Sequence, residues 1–233
     1  MSCRSSTAST NNQNAAGLAA EEMLKLEGFA DALKAATPEK PVVLAVLSQD
    51  ATSESVTGRT TGYVNKMKEL AAQYGNVIVV GHDLWATKPD EAPENPSILI
   101  HVEISATPET VDVTNSANAV LNIENLHSVF LSNEGAVNGF LAATNAGSDL
   151  GDGGRYADLV VAGFDAGAPQ KNAIREGWFA GSITQDPYRI GFLAVELAFK
   201  ASQGEEVSDV DTGAQWYTAE NIDNPDIALL VYD

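Results

Sequence analysis

The segment ADLVVAGFDAGAPQKNAIREGWFAGSITQDP, residues 157–187, indicates the fold class most directly. It opens with a predicted strand (157–164), and the earlier run 41–47 is apolar on both faces, which is typical of a strand buried in a parallel sheet. A short helix near 169–177 and a second strand at 178–184 follow, and Asp186-Pro187 opens another helix. Strands and helices that alternate with short connections predict a parallel sheet covered by helices.

The same alternation continues on both sides of this segment. Further strands are predicted at 41–47, 76–81, 97–104 and 126–132, with two short ones near 212–217 and 227–232. Further helices are predicted at 17–36, 59–74, 107–123, 134–146 and 187–203. No low-complexity linker divides the chain. The sequence therefore predicts one main α/β unit, a three-layer, doubly wound and mostly parallel sheet.

The composition excludes several classes of partner. The 233 residues include 13 Lys and Arg against 32 Asp and Glu, which gives a formal charge of −19. Such an acidic surface repels phosphate groups, so we expect no nucleic-acid partner and no attraction to anionic membranes. Cys3 is the only cysteine and forms no internal disulfide. The polar start of the chain lacks the apolar stretch of a secretory signal peptide.

The sequence shows no catalytic or metal-binding motif. The G-x-S-x-G, H-E-x-x-H, P-loop and C-x-x-C patterns are absent. His82, His101 and His127 lack the spacing of metal ligands, and the acidic turns do not follow a calcium-loop pattern. We therefore predict no enzyme activity, no metal and no cofactor. A hydrolase or dehydrogenase with unfamiliar motifs is the alternative in the enzyme class, and nothing in the chain supplies its nucleophile and base.

Seven short motifs carry a family resemblance. They are T-N-N-Q-N-A-A-G (10–17), G-R-T-T-G-Y (58–63), V-F-L-S-N-E-G (129–135), V-A-G-F-D (161–165), A-I-R-E-G (173–177), S-I-T-Q-D-P (182–187) and W-Y-T-A-E-N-I-D (216–223). In this order and spacing, they resemble type 1 periplasmic binding proteins. These are the ribose- and galactose-type sugar receptors of ABC importers, and LacI-type repressor cores share their fold.

The resemblance implies a domain organisation. The family has two lobes joined by three crossovers, and this chain resembles the second lobe with most of the first lobe missing. Residues 1–14 would be a polar leader and the first crossover, and 15–185 the C-terminal lobe. Residues 186–208 would be a helix left over from the N-terminal lobe, and 209–233 the return strands of the C-terminal lobe.

The predicted helix at 187–203 supports this reading independently. Apolar side chains surround most of its circumference, and only Arg189, Glu196 and Lys200 are charged. A helix of this kind expects burial on more than one side. We therefore predict that it docks on another chain, which is either a separate first-lobe polypeptide or a second copy of this chain.

Five residues are candidates for ligand binding by the resemblance: Arg59, Asn133, Asp165, Gln185 and Trp85. Sugars need planar, bidentate hydrogen-bonding groups and a flat apolar face. Each candidate has an alternative structural role. Asn133 and Asp165 can be helix caps, Gln185 a hinge residue that bonds backbone, Arg59 a solvated arginine, and Trp85 a packing residue, since an insertion makes its register doubtful.

The resemblance implies a binding module, the C-terminal lobe of a solute-binding protein that contributes half of a sugar cleft and is weak or inactive alone. Its expected partners are a monosaccharide-type ligand and an ABC transporter permease, and its expected location is extracytoplasmic, although the chain shows no signal peptide. The alternative is the truncated effector domain of a LacI-type transcriptional regulator. The sequence does not identify the sugar or the oligomeric state.

Overall fold

A computed structural model describes residues 6–232 of the chain. Cys3 and the first residues of the polar leader lie outside the described residues. In the described part, seven strands form one sheet in the order β3-β4-β2-β5-β6-β7-β9. These strands are β2 (Val42–Ser48), β3 (Val77–Gly81), β4 (Ile98–Ile104), β5 (Leu126–Leu131), β6 (Val160–Phe164), β7 (Gly181–Gln185) and β9 (Ala214–Tyr217).

The pairing is parallel throughout this sheet except at one edge, where β9 runs antiparallel to β7. The sequence-based prediction of a mostly parallel sheet is thus confirmed. A second, two-stranded parallel sheet joins β1 (Ala8–Ser9) to β8 (Val210–Asp211), and it was not predicted. It brings the first described residues of the chain beside the segment that precedes β9.

Helices cover both faces of the sheet and make the fold three-layered. They are α1 (Asn12–Leu24), α2 (Phe29–Ala35), α3 (Glu54–Ala71), α4 (Thr110–Leu121), α5 (Glu134–Ala143), α6 (Ala168–Arg175) and α8 (Pro225–Ala228). A further helix, α7 (Pro187–Ser202), follows β7 and has no buried side chain among the described residues. One hydrophobic cluster joins the sheet to α1, α2 and α3. A second cluster lies on the opposite face under α4, α5, α6 and α8. This three-layer architecture is the one that the resemblance to type 1 periplasmic binding proteins led us to expect for a single lobe.

Two predicted elements are wrong in detail. The predicted helix 17–36 is two helices, because Gly28 between them adopts a left-handed conformation at φ +75°. The predicted strand 227–232 is absent: residues 227–228 belong to the short helix α8, and the residues after them form no strand. Asn224 accepts a hydrogen bond from the amide of Asp226, and Pro225 follows the cap with a backbone angle suited to a first helical turn.

The parallel strands β2, β5, β6 and β7 are neighbours, so their carboxyl ends meet at one edge of the sheet. Open α/β sheets bind ligands at this edge.

The start of α1 is held against α3 by a close approach at Gly62, where a Cβ atom would clash with the carbonyl oxygen of Gln13. Within residues 6–232, no helix has the length and apolar character needed to cross a membrane.

Candidate functional site

Arg59, in the second turn of α3, forms the centre of the candidate site. Its side chain is almost fully buried and donates hydrogen bonds from all three nitrogens. Nε donates to Oδ1 of Asn12 at 3.0 Å, and Nη2 donates to Oε1 of Gln185 at 3.2 Å. Nη1 donates to the carbonyl oxygen of Ser132 at 3.2 Å and to Oδ2 of Asp165 at 3.1 Å. One guanidinium thereby joins the ends of β5, β6 and β7 to the start of α1.

The charge of Arg59 is compensated locally. Its Cζ lies 3.8 Å from the centre of the Phe164 ring, an arrangement that favours a cation over an aromatic face. Burial lowers the pKa of Arg59, and the carboxylate of Asp165 opposes that effect. Because an arginine in a protein stays protonated, Arg59 and Asp165 form a buried ion pair that is neutral overall.

Asp165 is held in an unusual backbone conformation at the end of β6. Its φ is +82°, a left-handed value that is uncommon for a residue with a side chain. Its amide donates to the carbonyl oxygen of Ile183 at 2.8 Å. Its own carbonyl oxygen accepts from Ser182 Oγ at 3.0 Å and from the Tyr217 hydroxyl at 2.8 Å. Its carboxylate also accepts from the amide of Glu134 at 3.1 Å, so both backbone and side chain are fixed.

Asn133 lies at the same edge, but its side chain is used by its neighbours. Oδ1 accepts from the amide of Ala136 at 3.2 Å, which makes Asn133 the N-cap of α5. Nδ2 donates to Oε1 of Gln49, and Gln49 in turn donates to the carbonyl oxygen of Pro108 at 2.9 Å. The cap interpretation of Asn133 is therefore correct as structure. A capping side chain at a rim can also face a ligand.

Trp85 is not brought into this network. Its Nε1 donates to Oγ1 of Thr61 at 2.9 Å, and its ring lies 5.3 Å from that of His82. Thr61 is two residues beyond Arg59, and a side chain two positions along a helix points about 200° away from the first. Trp85 also packs against the hydrophobic cluster under α3. The structure thus places Trp85 as a packing residue on a different side of α3 from the Arg59 guanidinium.

Residues that the sequence reasoning did not single out complete the site. Asn12 had a signal, since it lies inside the T-N-N-Q-N-A-A-G motif, and Tyr217 lies inside W-Y-T-A-E-N-I-D. Tyr232 had none. Its hydroxyl lies 3.5 Å from Oε2 of Glu134, and 44% of the residue is exposed. Burial and the nearby carboxylate of Asp165 raise the pKa of Tyr232.

The network leaves a small set of polar atoms available. Among residues 6–232, Oδ1 of Asp165 and Nε2 of Gln185 have no hydrogen-bond partner, and Nη2 of Arg59 makes one bond out of two. An acceptor thus stands beside two donors, which suits hydroxyl groups that donate and accept at once. An open cleft of about 600 Å³, lined by polar residues that include Glu54 and Ser55, adjoins the network at Asn12.

The described residues offer little for other chemistry. No cluster of three or more His, Cys, Asp or Glu side chains among them could hold a metal ion. Metal sites need several such ligands within one coordination sphere.

Comparisons with known proteins bear on the family and the fold of the chain. A family model described as "Periplasmic binding protein domain" matches residues 2–206. The ribose import binding protein RbsB of Salmonella typhimurium is 32% identical over 108 residues. That alignment covers 45% of this chain and 34% of the Salmonella protein, so the match spans about a third of the curated relative.

Solved structures match over nearly the whole chain. A protein from Brachyspira murdochii, described as an ABC transporter, LacI family transcriptional regulator, is 36% identical with a TM-score of 0.83. The match covers 100% of this chain and 68% of that protein. An ABC transporter solute-binding protein from Agrobacterium vitis, with bound D-fucose, has a TM-score of 0.71. It is 22% identical, covers 98% of this chain and 65% of its own, and shows the fold. On the match of the family model, the chain belongs to the periplasmic binding protein family.

Proposed function

We propose that this chain forms one wall of a monosaccharide site in the solute-binding component of an ABC importer. The observation that carries the proposal is the convergence of Arg59, Asp165 and Gln185 at the carboxyl edge of the sheet. Asn133 lies at the same edge, beside Ser132 and Glu134, which both contact this group. We assign these four side chains to ligand binding and leave Trp85 as a packing residue.

The charges favour a neutral, hydroxylated ligand. Arg59 is neutralised by Asp165, and Glu134 and Glu54 add negative charge near the network and its adjoining cleft. An anionic ligand would have to displace Asp165 from the guanidinium. A sugar hydroxyl needs no such displacement, because it donates to Oδ1 of Asp165 and accepts from Nε2 of Gln185.

Related proteins support the same class of ligand. The Salmonella relative is named a ribose import protein, and structures of the same fold hold D-fucose, D-arabinose and myo-inositol. These relatives are transport proteins and not enzymes, which supports a binding role without catalysis. The family match and these ligands favour the transport function over the LacI-type regulator.

A second wall is needed, and we propose that it docks on α7. Pockets for small molecules bury about 70–90% of the ligand surface, and the described residues supply the wall on one side of the cleft. Within residues 6–232, no side chain of α7 is buried, and Tyr188, Phe192, Val195 and Phe199 are between 58% and 78% exposed. Because α7 begins directly after Gln185 and its cap Asp186, whatever covers this helix also stands beside the cleft.

The occupant that we propose for α7 is a first-lobe polypeptide, so that residues 186–208 belong with that lobe. In this proposal, the two lobes close on the sugar by a hinge movement, and the closed form is presented to a permease outside the cytoplasm. The chain by itself then binds sugar weakly, because it provides half of the hydrogen bonds. A symmetrical dimer through α7 is the other outcome, and sedimentation of the chain alone distinguishes the two.

An NMR titration tests the binding role. We expect D-ribose, D-fucose or D-arabinose to shift the side-chain amide signals of Gln185 and Asn133, with a dissociation constant of about 1 mM or weaker, which corresponds to about −4 kcal/mol. Gln185→Ala should abolish the shift that the sugar causes in the Asn133 side-chain amide signal. The control Gln203→Ala, at an exposed glutamine at the end of α7, should leave that shift unchanged.

Two results would contradict the proposal. If no monosaccharide shifts these signals at high millimolar concentration, or if Q185A and Q203A behave alike, the network is not a sugar site. If calorimetry instead gives a micromolar dissociation constant for the chain alone, the site is sugar-binding but the claim of an incomplete cleft fails.

A further inference from the structure

Tyr217 stands out as a buried polar residue that the sugar-binding proposal does not use. It is the last residue of β9, the antiparallel edge strand, and it pairs with Ser182 of β7. Its side chain is fully buried, and its hydroxyl reaches across to the carbonyl oxygen of Asp165 at 2.8 Å. Burial strongly raises the pKa of Tyr217, so the phenol stays protonated and remains a hydrogen-bond donor at neutral pH.

The carbonyl that Tyr217 holds belongs to the residue with the most unusual backbone in the site. At φ +82°, Asp165 adopts a conformation that side-chain-bearing residues keep only when their surroundings impose it. This conformation points the carbonyl towards β7 and β9 and the carboxylate towards Arg59 and the start of α5. Rotation of the peptide group after Asp165 would break the first set of contacts and misdirect the second.

We propose that Tyr217 is a positioning residue, whose hydroxyl holds the backbone of Asp165 in the left-handed conformation that aims its carboxylate at Arg59. Ser182 Oγ shares the same carbonyl at 3.0 Å, and the amide of Asp165 is tied to Ile183 at 2.8 Å. Through Tyr217, β9 thus acts on the backbone of Asp165 and thereby on the ion pair between Asp165 and Arg59. This role of Tyr217 concerns the chain without ligand. It rests on the proposed function only in that Arg59, Asp165 and Gln185 are taken to bind a sugar.

A purely structural hydroxyl makes a different prediction from a positioning one. Asp165→Asn keeps the backbone carbonyl, the side-chain shape and a residue that tolerates a left-handed conformation. It removes the charge by replacing one carboxylate oxygen with an amide nitrogen, and the remaining oxygen can still accept from Arg59 and from the amide of Glu134. If Tyr217 merely satisfies a buried carbonyl, Tyr217→Phe costs the same with Asp or Asn at position 165. If Tyr217 aims the charge, Y217F costs less when the charge is already gone.

The experiment is a double-mutant cycle on the whole chain without ligand, measured by urea unfolding. We expect Y217F to lower the folding equilibrium constant about 30-fold in the native background and about 5-fold in D165N. The control cycle replaces Tyr63→Phe, another fully buried tyrosine whose hydroxyl contacts Met23 Sδ and not Asp165. Y63F should give the same factor in both backgrounds.

A second measurement needs neither unfolding nor D165N. The Nε–Hε signal of Arg59, which is held by Asn12, should shift in Y217F and stay in place in Y63F. Equal factors for Y217F in the two backgrounds, or an Arg59 signal that Y217F leaves unmoved, would overturn the positioning role. Because neither measurement uses sugar, absence of sugar binding contradicts only the proposed function, and additivity contradicts only the role of Tyr217.

Discussion

The end of β7 and the helix that follows it are adjacent in sequence and opposite in character. Gln185 belongs to a network in which Arg59 donates to Asn12, Ser132, Asp165 and Gln185 itself. One residue later, Asp186 caps α7, a sixteen-residue helix with no buried side chain among the described residues. The first region has nearly all of its polar groups paired, and the second leaves its apolar groups in water.

The difference shows which surfaces the lobe completes by itself. Burying one large apolar side chain contributes about 1.5–3 kcal/mol, so an uncovered face with several of them is costly to leave in water. Single exposed apolar residues are ordinary, but a contiguous row along one helix indicates an interaction surface. The described residues thus pair most polar groups at this edge of the sheet among themselves and leave the apolar row on α7 exposed.

The largest expected effect comes from breaking the polar region. Arg59→Ala leaves the carboxylate of Asp165 partly buried without its cation and leaves Gln185 without its donor. Removing one partner of a buried ion pair costs about 3–5 kcal/mol, and we expect about 3 kcal/mol here because the Asp165 side chain keeps 17% exposure. Urea unfolding monitored by circular dichroism measures this loss.

A matched control separates the network from the mere loss of an arginine. Arg175 also pairs with an aspartate, Asp223, at 3.1 Å, but the two side chains are 50% and 83% exposed. Arg175→Ala should change the free energy of unfolding by less than about 1 kcal/mol. Equal losses for R59A and R175A would mean that the network contributes no more than a surface ion pair.

A smaller effect on stability is expected at the amino end of β5, where a buried side-chain nitrogen has no hydrogen-bond partner among residues 6–232. His127, in β5, has no partner for Nε2 among residues 6–232, and its ring packs edge-on against Phe29 at 5.0 Å. Burial lowers the pKa of His127 below its ordinary value of 6.5. As pH falls below about 6.5, the unfolded chain therefore takes up a proton before the folded chain does, and the free energy of unfolding decreases.

Replacement of His127 by an apolar ring should remove this part of the pH dependence. His127→Phe keeps the contact with Phe29 and has no titrating nitrogen. We expect the free energy of unfolding, measured by urea unfolding at each pH, to fall less between pH 7.5 and pH 5.5 in H127F than in the native chain. Parallel slopes in H127F and the native chain would show that this histidine is protonated as readily folded as unfolded.

The sequence predicted where the polar network lies better than it predicted which residues contact one another within it. Buried parallel strands are apolar on both faces, so β6 and its neighbours were located within a few residues, and residues that follow such strands meet at one edge. The family resemblance singled out Asp165 and Gln185, and their positions at the ends of neighbouring parallel strands explain why the two side chains lie close together. Trp85 was not placeable in the same way, because the direction of a side chain in a long loop depends on the conformation of that loop.

Long-range returns of the chain were beyond the reach of pattern reasoning. Tyr217 and Tyr232 reach the Asp165 region from the C-terminal segment, and no local periodicity encodes which residue an edge strand or a terminal turn will touch. The run Ile227–Tyr232 is apolar and resembles a strand, yet Asn224-Pro225 imposes a helical turn on its start. A cap and a proline at one point outweigh apolar character over several residues.

The smallest effect on stability is expected from substitutions on α7. A small effect is what we expect if this helix does not pack against its own chain. Phe192 and Phe199 are 58% and 65% exposed, so replacing both with glutamine, a good helix former, should change the free energy of unfolding by less than about 0.5 kcal/mol. The same double variant should lower the binding of a hydrophobic dye several-fold. Val111→Gln is the control, since Val111 is 70% exposed but stands alone on α4, and it should leave dye binding unchanged. A loss of more than 2 kcal/mol in the α7 variant would mean that α7 packs against its own chain. The contrast between the two regions would then disappear, because a helix that is already covered has no face left for a second wall.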